Sequence, residues 1–246
     1  MPRAFIIFVR YGGLGDHLFY SHLPRIAKTA AGYDRVLVSN ASAYRHPDTR
    51  RLVWESNPYV DGFTDDVADY PVIASVSPDE NLLDRIMLAR GLDDGLRGHE
   101  PETYYAPGLL PEFESKRVYD PNYISGVRAV SRRKLARHFR DHPPDAQFAP
   151  MNMSVPLMSV AETVSTESLF RYADIIKSSR HFSCLTSGGA TLAAALGKPA
   201  TVFFGNGTNP MFLHSHLHTY VDVARSRSGL FASRIASALA RVFRSS

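Results

Sequence analysis

The sequence predicts a two-lobed α/β protein, each lobe a sheet of buried strands covered by helices. Three observations carry that reading. Short continuous apolar runs, the mark of strands buried on both faces of a parallel sheet, alternate with stretches of helical periodicity. A proline-punctuated break from Gly98 to about Ser115 separates two such stretches of about 110 and 130 residues. Twice, a glycine-rich junction joins an apolar run to a helix, at residues 10–17 and 185–199. One doubly wound sheet is the alternative arrangement of the same elements.

In the first stretch, Phe5–Val9 reads as a strand and Gly12, Gly13 and Gly15 as a loop. A helix carries Leu18, Phe19, Leu23, Ile26, Ala27 and Ala30 and is kinked or divided at Pro24. Arg35–Ser39 is a second strand, Thr49–Ser56 a helix and Pro71–Val76 a further strand. Ser77-Pro78-Asp79-Glu80 is a helix start, with Ser77 as cap and Glu80 completing a capping box. Leu82, Leu83, Ile86 and Met87 form that helix's buried face, and Gly91 or Gly95 ends it. Pro101, Pro107 and Pro111 make the break a linker and surface loop.

In the second stretch, strands are expected at Lys116–Tyr119, Ala146–Met151, His181–Leu185 and Ala200–Phe204. Helices are expected at Val130–Arg140, Thr166–Ser178 and Ala190–Leu196. The resulting divisions are 1–105, 116–227 and a basic amphipathic helix within 228–246, carrying Leu230, Ile235 and Leu239.

Composition narrows the function. With 246 residues, 44% hydrophobic and 21% charged, the chain is neither disordered nor of membrane-spanning composition. No segment reaches the roughly 18 apolar residues of a membrane helix. The apolar run Ala4–Val9 is too short for a signal peptide. A single cysteine, Cys184, excludes an intrachain disulfide and points to a cytoplasmic home. The net charge of +4 comes with 23 arginines against five lysines. That bias suits a GC-rich genome, and it also suits phosphate binding. The basic residues form no tract, so a nucleic-acid partner is not expected.

Three segments are candidates for chemistry. In Arg10–His17, glycines at a strand's carboxyl end let backbone approach a ligand, and Asp16 is either a helix cap or a reactive carboxylate. The spacing fits neither GxGxxG nor a P-loop. In Leu185–Pro199, Ser187, Gly188, Gly189, Ala190 and Thr191 open a helix whose free N–H groups suit an anion; tight helix–sheet packing would select the same small residues. The third, His214-Ser215-His216-Leu217-His218, would face one side of a strand and suit zinc. It lacks an adjacent carboxylate or cysteine, so a solvent-facing strand or loop is expected.

Together, the first two segments resemble the GT-B glycosyltransferases, and more closely family nine, the ADP-heptose:lipopolysaccharide heptosyltransferase group. The shared pattern is Phe5–Val9, Gly12–Asp16 and Pro24, then Ser168–Lys177 and Thr186–Gly205 with its Leu-Gly-Lys-Pro and terminal Phe-Gly. Thr186 and Thr191 stand where the family usually has Asp and His. The resemblance implies two Rossmann-like lobes facing a cleft, the acceptor on the first and a nucleotide-sugar donor on the second. It implies no metal and no cofactor beyond the donor substrate. It assigns the general base to Asp16, the diphosphate to residues 187–191 and a cation to Arg133 or Lys134. Thr186, His17, Gly205 and Asn206 are further candidates. A glycan or glycolipid acceptor of bacterial polysaccharide biosynthesis follows, with peripheral contact at the inner membrane face. A non-catalytic binding protein on the same scaffold, or another nucleotide-sugar enzyme such as an epimerase, are the competing readings.

Overall fold

The computed structural model describes residues 2–68, 70, 73, 75–77, 80–123, 130–151 and 161–225. The expected final helix, 228–246, lies outside them. The chain forms two all-parallel sheets rather than one. The first has the order β1-β2-β3, from β1 (Ala4–Ile7), β2 (Arg35–Ser39) and β3 (Gly62–Thr64). The second has six strands: β4 (Arg117–Asp120), β5 (Ala146–Phe148), β6 (Glu162–Val164), β7 (His181–Leu185), β8 (Ala200–Phe204) and β9 (Thr219–Asp222). Their spatial order is β6-β5-β4-β7-β8-β9, the doubly wound order in which the chain reverses direction between the first and fourth strands.

Helices α1 (Leu14–Leu18) and α2 (Leu23–Thr29) divide where expected, with Pro24 in the first turn of α2. Next comes a short α3 (Asp48–Arg50), continued by a π-helical turn at Arg51–Glu55 that buries Trp54. Helix α4 (Leu82–Ala89) starts later than the sequence suggests. Asn81 caps it, accepting from Leu83 and Asp84 N–H, while the Glu80 carboxylate only reaches back to Ser77 N–H. Gly91, at φ +70°, ends it in the left-handed conformation that glycine permits. The second lobe adds α5 (Arg132–His138), α6 (Leu169–Ser178) and α7 (Gly188–Ala195).

Two expectations need correction. The described part of Pro71–Val76 is not a strand. Ile73 and Val76 instead pack their side chains on the core, and the third strand is the shorter β3. The proline-punctuated segment is more than a surface loop. Glu102 pairs with Arg25 and its N–H donates to Ser21 Oγ (2.7 Å) in the first lobe. Tyr105 Oη and Gly108 N–H then donate to Asp174 Oδ1 on α6 (2.7 and 2.9 Å).

The lobes are joined firmly. One apolar core runs through both, from Phe5, Ile7 and Trp54 to Phe182, Cys184 and Ala190. His46 Nε2–H donates to Glu167 O (3.0 Å), and Leu169 N–H to Asp48 Oδ2 (2.9 Å).

Candidate active site

In an open α/β sheet, ligands bind beyond the strand ends where the winding reverses. Here that point lies between β4 and β7. The β7–α7 junction therefore occupies the place where the topology alone puts a site. Across from it, the β1–α1 junction of the first lobe arrives at the same spot. The two helix starts touch through glycines: a Cβ on Gly188 would lie 3.0 Å from Gly15 N, and one on Gly15 would lie 3.3 Å from Gly188 Cα. A side chain at either position would press on the backbone of the facing junction. Both glycine segments line one cavity of about 560 Å³.

Asp16 stands at its edge. Its Oδ2 accepts from Gly13 N–H at 3.0 Å, so it does cap α1. The same carboxylate fills the space that a Cβ on Gly13 would need. Its Oδ1 has no hydrogen-bond partner among the described residues, and the side chain lines the cavity. Burial raises its pKa above the usual 3.8, with the Gly13 N–H and the Arg45 charge opposing. A partly desolvated carboxylate of this kind is a better proton acceptor than one in water. Gly12 lies under the 43–45 loop, which it lets approach closely.

His17 has no such freedom. It is buried, its Nε2–H donates to Ala43 O (2.8 Å), and its Nδ1 accepts from Trp54 Nε1–H (2.9 Å). Stacked on Tyr44 and held to about 4 by burial, it is a neutral structural residue and not a candidate base.

On the other side, Ser187 Oγ caps α7 by accepting from Gly189 N–H (3.2 Å). Gly188, Gly189 and Thr191 line the cavity with it. Ala190 does not: its N–H returns to Ser187 O and its carbonyl accepts from His218 Nε2–H. Thr186 lines the cavity, but its hydroxyl is committed to Phe203 O (3.2 Å).

Arg133 and Lys134 are exposed on α5 and do not line the cavity, and neither do Gly205 and Asn206. Gly205 N–H donates to Thr208 Oγ1. The only Lys or Arg lining the cavity, among the described residues, is Arg45. The histidine segment is a loop, and the expectation of full solvent exposure fails: His214 and His218 are buried and only His216 faces water. Among the described residues, no group of three or more His, Cys, Asp or Glu could hold a metal ion.

Sequence reasoning missed a buried carboxylate at the cavity floor. Asp120, at the end of β4, accepts from Tyr172 Oη (2.5 Å) and from the Asn122 backbone and side-chain N–H groups (2.9 and 3.0 Å). Burial raises its pKa, and burial together with the Asp120 carboxylate pushes that of Tyr172 well up. A Cβ on Gly189 would strike Tyr172 Oη and lie 3.0 Å from Asp120 Oδ2, so this cluster sits directly under the start of α7. The acidic residue at the switch-point strand was the available signal; its tyrosine partner, 52 residues away, left none.

Two α/β lobes, each wound from parallel strands and meeting at a cleft, define a GT-B-like fold. Solved structures bear this out. The chain is similar to a family 9 glycosyl transferase from Veillonella parvula (TM-score 0.61, 11% identity, 96% of this chain and 89% of the other). It is also similar to E. coli ADP-heptose lps heptosyltransferase II (TM-score 0.55, 13% identity, 90% of each chain). A third is the iron-containing dodecameric heptosyltransferase TibC of enterotoxigenic E. coli, solved with ADP-D-beta-D-heptose (TM-score 0.61, 12% identity, 89% of this chain and 63% of the other). No protein-family model matches the sequence, and no curated protein matches it. The likeness is one of fold: heptosyltransferase-like, at low identity.

Proposed function

We propose that the chain is a glycosyltransferase that moves a sugar from a nucleotide-activated donor to a hydroxyl of a bacterial surface-glycan acceptor. One observation carries this reading: the two glycine junctions, from different lobes, converge on a single 560 Å³ cavity, one bringing Asp16 and the other the start of α7. The acceptor hydroxyl oxygen bonds to the anomeric carbon as that carbon's bond to the diphosphate oxygen breaks. Asp16 takes the hydroxyl proton. The nucleoside diphosphate leaves with its charge against Ser187 Oγ–H, Gly188 N–H and the Thr191 hydroxyl, at the positive end of α7. Arg45 replaces Arg133 and Lys134 as the cation of the site.

In this reading the first lobe, residues 1–105, carries the acceptor and the second, 116–227, the donor. Heptose from an ADP-linked donor and a lipopolysaccharide acceptor are the specific form that the fold likeness suggests, because heptosyltransferase structures with ADP-heptose or ADP share the fold. The reaction is placed on the cytoplasmic side, at the membrane surface where a glycolipid acceptor lies.

The binding-module reading has one observation in its favour, the scarcity of cations in the cavity. Turnover separates the two. The protein is incubated with ADP-, GDP-, UDP- and CDP-sugars and a glycolipid extract, and nucleoside diphosphate release is measured. Acceptor-dependent release supports the transferase; saturable nucleotide binding without release across that panel supports the module.

A further inference from the structure

We propose that Asp120 takes up a proton when the nucleotide binds, and that the Tyr172 hydroxyl then turns from Asp120 to donate to a phosphate oxygen. The proposal rests on the reading that the diphosphate lies at the start of α7. It adds that the site meets the ligand's charge with a proton where it lacks a second cation.

Asp120 lies at the end of β4, where the winding reverses, and is 3% exposed on the cavity floor. Its Oδ1 accepts from both Asn122 N–H groups and its Oδ2 from Tyr172 Oη. Among the described residues, no Lys, Arg or His pairs with it. Tyr172 lines the cavity too. Its hydroxyl, Asp120 Oδ2 and Ser187 Oγ crowd the point where a Cβ on Gly189 would stand. The acid and the phenol therefore meet directly beneath the helix start that offers its N–H groups to the phosphates.

An ionised carboxylate there opposes a diphosphate, because like charges in a poorly hydrated site disfavour each other. It also fixes the phenol. While Asp120 is ionised it can only accept, so Tyr172 O–H points at Oδ2 and shows the cavity lone pairs. Once Oδ2 is protonated, it donates to Tyr172 Oη, and the phenolic hydrogen is free for a phosphate oxygen. The proton comes from water onto Oδ2 and returns when the nucleotide leaves; no other covalent bond changes. Burial already raises the Asp120 pKa, and an arriving anion raises it further.

The titratable groups facing Asp120 are Tyr172 from α6, Cys184 from β7 and Tyr119 on its own strand. Burial first, and the Asp120 charge second, keep all three neutral. The start of α7 and strand β5 bring none. Asp16, Arg45, His46 and Glu167 line the same cavity.

The test uses whichever of ADP, GDP, UDP and CDP raises the melting point most. Its binding is measured by calorimetry at pH 6, 7 and 8, each in two buffers of different ionisation enthalpy, which counts the protons taken up. Asp120→Asn keeps the Asn122 bonds, and its Nδ2–H donates to Tyr172 Oη as the protonated acid would. Wild type should take up at least half a proton more than this variant at one of these pH values; the difference removes the titration of the nucleotide and of the other cavity groups. At pH 8 the variant should bind at least threefold more tightly than wild type. Tyr172→Phe should bind at least threefold more weakly at pH 6, and it carries the test if the asparagine variant does not fold. A smaller proton difference at all three pH values overturns the proposal, and so does a smaller loss in Tyr172→Phe. A purely structural tie between β4 and α6 would shift melting and leave the proton counts equal. Wild type that binds no nucleotide overturns the donor reading and this proposal with it; binding with equal proton counts overturns this proposal alone.

Discussion

Asp16→Asn separates the two jobs that the structure gives one side chain. The carboxylate caps α1 through Gly13 N–H at 3.0 Å, and an asparagine carbonyl oxygen can accept the same bond. Loss of such a cap altogether, as in Asp16→Ala, costs about 0.5–2 kcal/mol, whereas Asn caps about as well as Asp. Burial raises the Asp16 pKa, so its ionised form is disfavoured in the folded chain and folding is easier below that pKa than above it. A neutral amide removes this cost, and the asparagine variant should melt at or slightly above the wild-type temperature near pH 7. Catalysis should respond oppositely. General-base catalysis contributes about 10²–10⁴-fold, or roughly 3–5 kcal/mol of barrier. Transfer is followed as acceptor-dependent nucleoside diphosphate release, with melting and nucleotide affinity measured alongside. The expected result is normal melting, normal nucleotide binding and at least a hundredfold loss of transfer. An asparagine variant that transfers at the wild-type rate would refute Asp16 as base and leave it a cap.

Other outcomes follow from the same geometry. The wild-type transfer rate should fall on acidification with a midpoint above 3.8, because protonated Asp16 cannot accept the hydroxyl proton; a pH–rate profile checks this. His17→Leu leaves Trp54 Nε1–H without its acceptor and should cost about 1–3 kcal/mol in denaturant melts. His17 is held to about 4 in the folded chain against 6.5, so the unfolded chain binds more protons between those values. Wild-type stability should therefore fall as pH drops from 6.5 to 4, and less steeply in the leucine variant. Gly188→Ala puts a Cβ 3.0 Å from Gly15 N and 3.3 Å from Leu14 Cβ. It should cost about 1–3 kcal/mol by overpacking and reduce transfer by moving the two junctions apart, both readable in one melting and turnover series.

The parts of the fold that were legible in the sequence are those buried on both faces. His181–Leu185 and Ala200–Phe204 are interior strands of the six-stranded sheet, and their mostly apolar, β-forming residues give their ends to the residue. Strands β3, β6 and β9 were not legible, and all three are sheet edges. Glu162-Thr163-Val164 and Thr219-Tyr220-Val221-Asp222 keep one side toward water, so they carry no apolar run to see. The two glycine junctions were legible as binding segments because glycine after a buried strand is a local signal. Their meeting across the lobes was not, since Gly15 and Gly188 are far apart in the chain. His17 looked reactive and is a buried strut, a distinction set by Trp54 and Ala43, which only the fold brings to it. The Asp120 cluster escaped for the same reason: the strand position of the acid was visible, but its tyrosine partner Tyr172 is brought to it only by the fold.

The central claim is that a nucleoside diphosphate sits in the larger cavity with its phosphates at the start of α7. The structure of the protein saturated with the nucleotide that raises its melting point most tests this directly. The account predicts β-phosphate oxygens within about 2.7–3.2 Å of Gly188 N and of the Ser187 or Thr191 hydroxyl, with the Asp16 carboxylate facing them across the cleft. A nucleotide bound with its phosphates elsewhere, or a cavity empty at saturating concentrations of every nucleotide tried, would contradict it.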